Sequence, residues 1–263
     1  MPQAAQDHGH VEVELRSHPQ GRVAWVRMAN PGRLNAGSPA LVAALTARFQ
    51  DLAGDDELRC AVLTGDGDKA FMAGADLNTL ASLTPDTARA YITALHEASA
   101  AIRALPVPVI GRLRGYCLGA GLEVAAACDF RAADNSFVMG MPEVRVGLPS
   151  VVEAALLPGL IGWGRTREVL LTGANYDAEQ ALAMGMVERL VPAEALDATV
   201  EEWVGQILAC GPTAVRSQKV LMAKWEQMGL DAAIEAGIDH FGDAFLGDEP
   251  GRMLAPLMKR KSG

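Results

Sequence analysis

The chain has 263 residues, half of them hydrophobic, enough for one large domain or one and a half around a substantial core. A net charge of −9 and a pI near 5.1 exclude a general binder of nucleic acid or anionic membranes, though not one local basic pocket. No apolar run approaches membrane-spanning length, and residues 1–10 are polar, so neither a membrane span nor a secretory signal is expected. Cys60, Cys117, Cys128 and Cys210 show no metal-like pairing, which fits free thiols in a reducing, cytoplasmic setting. The five histidines are scattered without a His-x-x-x-His pair, so no metal site is expected.

In chain order, residues 11–15 alternate, Val11, Val13 and Leu15 against Glu12 and Glu14, as a half-buried strand does. Gly21 marks a turn, and residues 23–28 read as the hairpin partner. Asn30-Pro31-Gly32 is a strong turn signal. Ser38 offers an N-cap and Pro39 a first helical position, with Leu41, Val42, Leu45, Phe49 and Leu52 on one helix face. Residues 59–64 read as a short buried strand with an exit turn at 65–68. Phe71-Met72-Ala73-Gly74-Ala75-Asp76-Leu77 is a loop of small residues where a ligand can lie close to the backbone. A tight loop with Asp76 capping the next helix is the plain alternative. Thr84 and Pro85 open a helix over 85–104, which Pro106 and Pro108 end, and residues 109–113 form a strand.

That strand feeds Gly119-Ala120-Gly121, which opens a helix with Glu123 in its first turn. Unpaired N–H groups at such a start favour a bound anion, or an oxyanion present only in a transition state. A carboxylate one turn in can hold water or move a proton beside it. A glycine turn that merely packs, with Glu123 offsetting the helix dipole, is the alternative. Short strands at 129–133 and 136–140 follow, then a loop over 141–149 with one acid, Glu143. Ser150 begins a helix over 151–157 containing Glu153, broken by Pro158-Gly159 and Gly162-Trp163-Gly164. Helices over 165–172 and 177–183 precede a short strand within 185–192. Beyond residue 193 strand signals nearly vanish, and 196–209, 213–228 and 230–245 read as amphipathic helices. The chain thus divides into an α/β core, 1–194, and a helical region, 195–263, that packs on a neighbouring subunit or on its own core. Strands alternating with helices point by themselves only to a generic parallel α/β sheet.

Five motifs in this order resemble the enoyl-CoA hydratase/isomerase family, the crotonase superfamily, over roughly residues 11–260. Arg33-Leu34-Asn35-Ala36 is similar to its Asn-Ala-Leu region near the nucleotide end of coenzyme A. Residues 71–77 resemble its Phe-x-Ala-Gly-Ala-Asp-Leu loop, and 115–129 its Gly-Tyr-x-x-Gly-Gly-Gly-x-Glu-Leu helix start. Pro142-Glu143 matches its Pro-Glu loop, and 183–192 with the 245–259 tail completes the set. The resemblance implies an α/β crotonase-like spiral of ββα units in two roughly perpendicular sheets, with a C-terminal helical trimerisation region. It also implies a homotrimer or dimer of trimers that needs no cofactor or metal, because coenzyme A is part of the acyl-CoA substrate.

By motif position, the amides of Ala75 and Ala120 would form an oxyanion hole for the thioester, each worth roughly 3 kcal/mol. The family often has Gly at the second position, so Ala120 must keep a negative φ to avoid strain. Hydration needs water held over C3 and a proton brought to C2, which two carboxyl groups can manage. The hydratases' pair falls on Glu123 and Glu143, twenty positions apart. The resemblance credits Glu143 with the main proton transfer and Glu123 with orienting and activating the water. For coenzyme A it implies the backbone of Leu34, Ala36 and Ala73 near Asp76 and Leu77, with Arg33 facing the phosphates or stacking on adenine. Lys259-Arg260-Lys261 either reaches a neighbour's nucleotide or is simply solvated.

One stretch departs from the family. Gly147-Leu148-Pro149-Ser150-Val151-Val152-Glu153 replaces its Gly-x-x-Pro-Gly-x-Gly-Gly with a Ser cap and β-branched residues. Glu153 then either lines the acyl end as a third carboxylate or offsets a helix dipole. The expected activity is enoyl-CoA hydration, by default in fatty-acid β-oxidation. Isomerisation of an enoyl-CoA, or hydrolysis of a CoA thioester, needs the same two amides and one base. A non-catalytic RNA binder is opposed by the acidic charge and the intact acid pair.

Overall fold

The computed structural model describes residues 9–260, except the side chains of Pro31, Lys259 and Arg260. The polar start of the chain and the basic cluster expected at Lys259, Arg260 and Lys261 therefore lie outside what is described.

The hairpin forms as its alternation predicts. Strands β1 (His10–His18) and β2 (Gly21–Ala29) pair antiparallel with Val13 opposite Val26. Helix α1 (Pro39–Ala53) starts where Ser38 and Pro39 place it, and the Ser38 hydroxyl accepts from the Leu41 amide at 3.2 Å. Its apolar face enters the main core, where Phe49 is fully buried. Cutting such a phenylalanine to alanine costs about 3–5 kcal/mol.

Strands β3 (Leu58–Gly65) and β4 (Ala70–Met72) then lead to α2 (Leu77–Ala81) and α3 (Pro85–Ala104). A reciprocal cap between Thr84 and Thr87 fixes the start of α3. The same pattern repeats with β5 (Val109–Leu113), β6 (Tyr116–Leu118) and α4 (Ala120–Ala126). Next come β7 (Phe130–Asp134), β8 (Val138–Gly140) and α5 (Leu157–Thr172). The chain closes with β9 (Asn175–Asp177), α6 (Ala178–Met184), β10 (Arg189–Val191), α7 (Leu196–Ala209), α8 (Pro212–Trp225), α9 (Leu230–Asp243) and α10 (Glu249–Arg260).

The strands divide between two sheets. One has the order β1-β2-β3-β5-β7-β10 and the other β4-β6-β8-β9. Each repeat gives its first strand to the first sheet and its second to the other, then adds a helix, so the chain advances as a spiral of strand-strand-helix units. The generic single sheet that alternation suggests is thereby replaced by two. Gly115 makes the switch from β5 to β6 at φ +57, where a Cβ would collide with the Lys69 carbonyl oxygen.

Arg131 ties β7 to the end of α4. Its buried guanidinium donates to the Cys128 carbonyl at 2.8 Å and the Ala125 carbonyl at 3.3 Å, and pairs with Glu188 at 2.6 Å. Helix α7 covers the outer face of the larger sheet, seating Leu196, Val200 and Val204 on Val23, Val62 and Ile110. Helix α8 is anchored through Lys219, whose ammonium meets the Val107 carbonyl at 2.9 Å and Asp129 at 2.7 Å. Helices α9 and α10 leave Ile234, Ile238, Phe241, Met253, Leu254 and Leu257 exposed. All four cysteines are free thiols, and only Cys210 is exposed. Among the described residues no helix is long and apolar enough to cross a membrane.

The stretch 141–162 differs from its sequence reading. The expected loop holds a 3-10 turn, Pro142–Val146, ended by Gly147 at φ +80. Ser150 caps no helix, and a second 3-10 turn, Val152–Leu156, begins after it. Pro158 lies in the first turn of α5, where its missing N–H costs nothing, so it starts that helix rather than breaking one. Gly162, at φ 76 and ψ 157, kinks α5.

Candidate active site

Strands β4 and β6 are parallel neighbours, so the loops leaving them start side by side. Each loop turns on a glycine in the left-handed region, Gly74 at φ +94 and Gly119 at φ +51. The two turns touch: a Cβ on Gly119 would lie 3.9 Å from the Gly74 Cα, and one on Gly74 would lie 3.2 Å from the Leu118 carbonyl oxygen.

The amide following each glycine is left over. Ala75 forms a parallel bridge with Gly37, in which the Gly74 carbonyl and the Asp76 amide make the bonds, at 2.8 and 3.4 Å. The Ala75 N–H therefore points to the other side and meets no backbone acceptor among the described residues. Ala120 opens α4, where the first amides have no partner within the helix. The non-glycine residues with positive φ among those described are Leu34, Asn35 and Val152. Ala120 is thus unstrained, and the turn's unusual geometry rests on Gly119.

Two acids stand beside these amides. Glu123, in the first turn of α4, is 4% exposed and accepts the Ala154 amide on Oε1 at 3.3 Å. Glu143, in the 3-10 turn Pro142–Val146, accepts the Ser150 hydroxyl on Oε2 at 2.8 Å. Its Oε1 lies over Gly119, where any Cβ would collide with it. Burial first, and then the Glu143 charge, push the Glu123 carboxyl up to about 8. The Ala154 and Val151 amides pull it back, and the Glu153 charge adds to the upward push.

A polar lobe adjoins the first amide. The Leu34 carbonyl accepts the Ala73 amide at 3.0 Å, and the Gly37 amide donates to Gly74. Leu34 and Asn35 both have φ 54. The buried Asn35 side chain fastens this loop, accepting the Asn30 amide and donating to the Asp66 and Ala70 carbonyls, each at 2.9 Å. Arg33 pairs with Asp76 at 2.9 Å, and the other Asp76 oxygen caps α2 at the Thr79 amide. Burial raises the Asp76 carboxyl, but Thr79 and Arg33 together hold it below its usual value. The Tyr91 hydroxyl of α3 donates to the Gly37 carbonyl at 2.5 Å, bracing the segment that carries Ala75.

The family model described as enoyl-CoA hydratase/isomerase matches residues 18–253. The chain belongs to the enoyl-CoA hydratase/isomerase family. It is 30% identical to the short-chain-enoyl-CoA hydratase of Clostridium acetobutylicum, over 92% of this chain and 94% of that one. It is 35% identical to the crotonyl-CoA hydratase of Syntrophomonas wolfei, over 79% and 81% respectively. Among solved structures it is similar to an enoyl-CoA hydratase from Bacillus anthracis, with a TM-score of 0.89, 28% identity and coverage of 94% and 96%.

In this enoyl-CoA hydratase/isomerase family member, the loops carrying Ala75 and Ala120 meet, and Glu123 and Glu143 flank the second of them. Arg33, Leu34, Ala36, Ala73, Asp76 and Leu77 lie together in the adjoining lobe, with Leu77 largely exposed. Asp76 caps α2, as the plain alternative has it, and lies in the same lobe as Leu34 and Ala73. The Arg33 guanidinium pairs with Asp76 through one nitrogen and stays about half exposed. The residues the motifs missed are Ser150, the Ala154 amide, Tyr91 and the side chain of Asn35. Ser150 had a signal, as a departure from the glycine pattern, but its hydroxyl serves Glu143 instead of a helix. Tyr91 had none, lying on an ordinary helix face.

Proposed function

We propose that the chain is an enoyl-CoA hydratase, adding water reversibly across the 2,3 double bond of a 2-enoyl-CoA. The observation that carries this reading is geometric: buried Glu123 and the braced Glu143 flank the Gly119 turn beside two amides that meet no backbone acceptor among the described residues, and burial with the Glu143 charge pushes the Glu123 carboxyl up to about 8. The names of the relatives support it.

The thioester oxygen sits between the Ala75 and Ala120 amides, which stabilise the enolate by roughly 3 kcal/mol each. A water held by Glu123 and Glu143 faces C3. Hydration needs one carboxylate to take a proton from that water and one carboxylic acid to give a proton to C2. The pair shares a single proton for this, held by Glu123 in the free enzyme. On substrate binding it passes through the shared water to Glu143, leaving Glu123 to activate the water and Glu143 to protonate C2. Ser150 keeps Glu143 turned toward the water. The acyl-CoA nucleotide lies along Leu34, Ala36, Ala73, Asp76 and Leu77. Arg33, paired with Asp76 through one guanidinium nitrogen and half exposed, faces its phosphates or adenine. No step calls for a metal or a separate cofactor. Isomerisation or thioester hydrolysis would need one base, and the bracing of both acids by Ser150 and Ala154 favours hydration.

Residues 195–263 serve as the oligomerisation region, the exposed apolar faces of α9 and α10 being the kind that a homotrimer or dimer of trimers covers. The four free thiols fit a cytoplasmic enzyme, and β-oxidation is the simplest setting.

Crotonyl-CoA turnover tests the reading. Above about 8 Glu123 loses the pair's last proton, so kcat/KM should fall on an alkaline limb near that value. A rate that climbs through that limb, or no turnover of any enoyl-CoA, contradicts the proposal.

A further inference from the structure

Glu153 has no part in the reaction just described, yet its surroundings are unusual. It is 5% exposed, and its Oε2 is buried without a hydrogen-bond partner among the described residues. Its Oε1 meets Nδ1 of His96, on α3, at 2.8 Å. The turn that carries it enters through Val152 at φ 39, a strained value for a β-branched residue. An orphaned buried oxygen and a strained backbone both cost stability. Both fall in the segment that hydrogen-bonds the Glu123 side chain, because the next residue, Ala154, donates its amide to that acid.

We propose that Glu153 is a positioning residue for the acid pair. Gripped by His96, it pins the strained turn so that the Ala154 amide meets Glu123, and it adds a second negative charge, after that of Glu143, beside that acid. The proposal rests on the hydratase reading.

The groups facing Glu123 come from several elements. Glu143 comes from the turn Pro142–Val146 and Glu153 from the turn Val152–Leu156. Helix α3 brings Tyr91 and, behind Glu153, His96. Of the strands packed against α4, β6 carries Tyr116, which is exposed, and the buried thiol of Cys117, and β4 carries no titratable side chain. Glu153 is the one carboxylate among them outside the catalytic pair. A like charge there favours the protonated form of Glu123. The pair thus keeps its working proton to higher pH.

The test compares Glu153→Gln with His96→Ala. Glutamine keeps the size and an oxygen for His96 but drops the charge, while the alanine releases the clamp. Glu123 is titrated in substrate-free protein by carboxyl NMR on isotope-labelled glutamate, with Glu123→Gln assigning the signal. In Glu153→Gln its midpoint should fall by roughly half a pH unit or more, and the alkaline limb of kcat/KM should move with it. In His96→Ala, kcat should fall roughly tenfold to a hundredfold with KM little changed, as misplacement of a catalytic group predicts. An unmoved midpoint, or a change confined to KM, overturns the proposal. If His96→Ala fails to fold, the Glu153→Gln titration decides alone. Because that titration needs no substrate, it also separates this proposal from the hydratase reading, which fails if the wild type turns over no enoyl-CoA.

Discussion

Replacing Glu143 with glutamine should lower crotonyl-CoA hydration by roughly 10²–10⁴-fold, the range for losing a positioned proton-transfer group. The amide still offers an oxygen to the Ser150 hydroxyl, so the turn should stay in place and the melting temperature should change little. Glu123→Gln should lose as much activity and raise stability at alkaline pH, as removing a costly active-site group often does. The Glu123 carboxyl is raised from 4.5 to about 8, so the folded state binds a proton that the unfolded chain has released. Wild-type stability therefore falls as pH rises from 4.5 toward 8, and is not recovered above it. Glutamine removes that loss. The gain is a few kcal/mol at most, because each pH step separating the folded and unfolded titration points is worth ~1.4 kcal/mol. Scanning calorimetry should show Glu123→Gln melting above wild type at alkaline pH, with the gap closing on acidification. Turnover above a tenth of wild type in either variant would remove that acid from the mechanism.

Ala120→Pro should cost about 10²–10³ in kcat, the loss expected for one oxyanion-hole donor. Proline suits the first position of a helix, and Ala120 holds that position in α4. The substitution deletes the N–H while leaving the helix its preferred geometry, and the preceding Gly119 tolerates the neighbouring ring. Ala120→Gly is the control, since it keeps the amide and should stay near wild type. If proline leaves kcat within a few-fold of wild type while calorimetry reports an intact fold, the Ala120 amide is not a donor to the reacting oxygen.

Much of the fold was legible wherever a local rule governs it. Ser38-Pro39 and Thr84-Pro85 start helices where capping chemistry places them, and the β1–β2 hairpin follows its alternation. The second sheet was not legible. Its strands β4, β6, β8 and β9 have three residues each, too few for a period-2 pattern to register. Which strand joins which sheet is a tertiary fact that no short window holds. Residues 150–158 misled because Ser followed by β-branched residues looks like a helix cap, while the Ser150 hydroxyl is drawn to Glu143.

The site divides in the same way. Ala75, Ala120 and the Glu123/Glu143 pair were singled out by their positions in the motifs of the resemblance, and the fold brings the two loops and both acids together. The Glu153–His96 contact spans 57 positions between elements with no shared pattern. The raised Glu123 carboxyl comes from burial and a neighbouring charge, which exist only once the chain has folded.

The most direct measurement is to follow heavy-oxygen water into the product formed from crotonyl-CoA. Wild type should form 3-hydroxybutyryl-CoA with the label on the C3 hydroxyl, and both glutamine variants should lose it. Label in a released carboxylate with free coenzyme A, or an unlabelled product with its double bond moved, would contradict hydration.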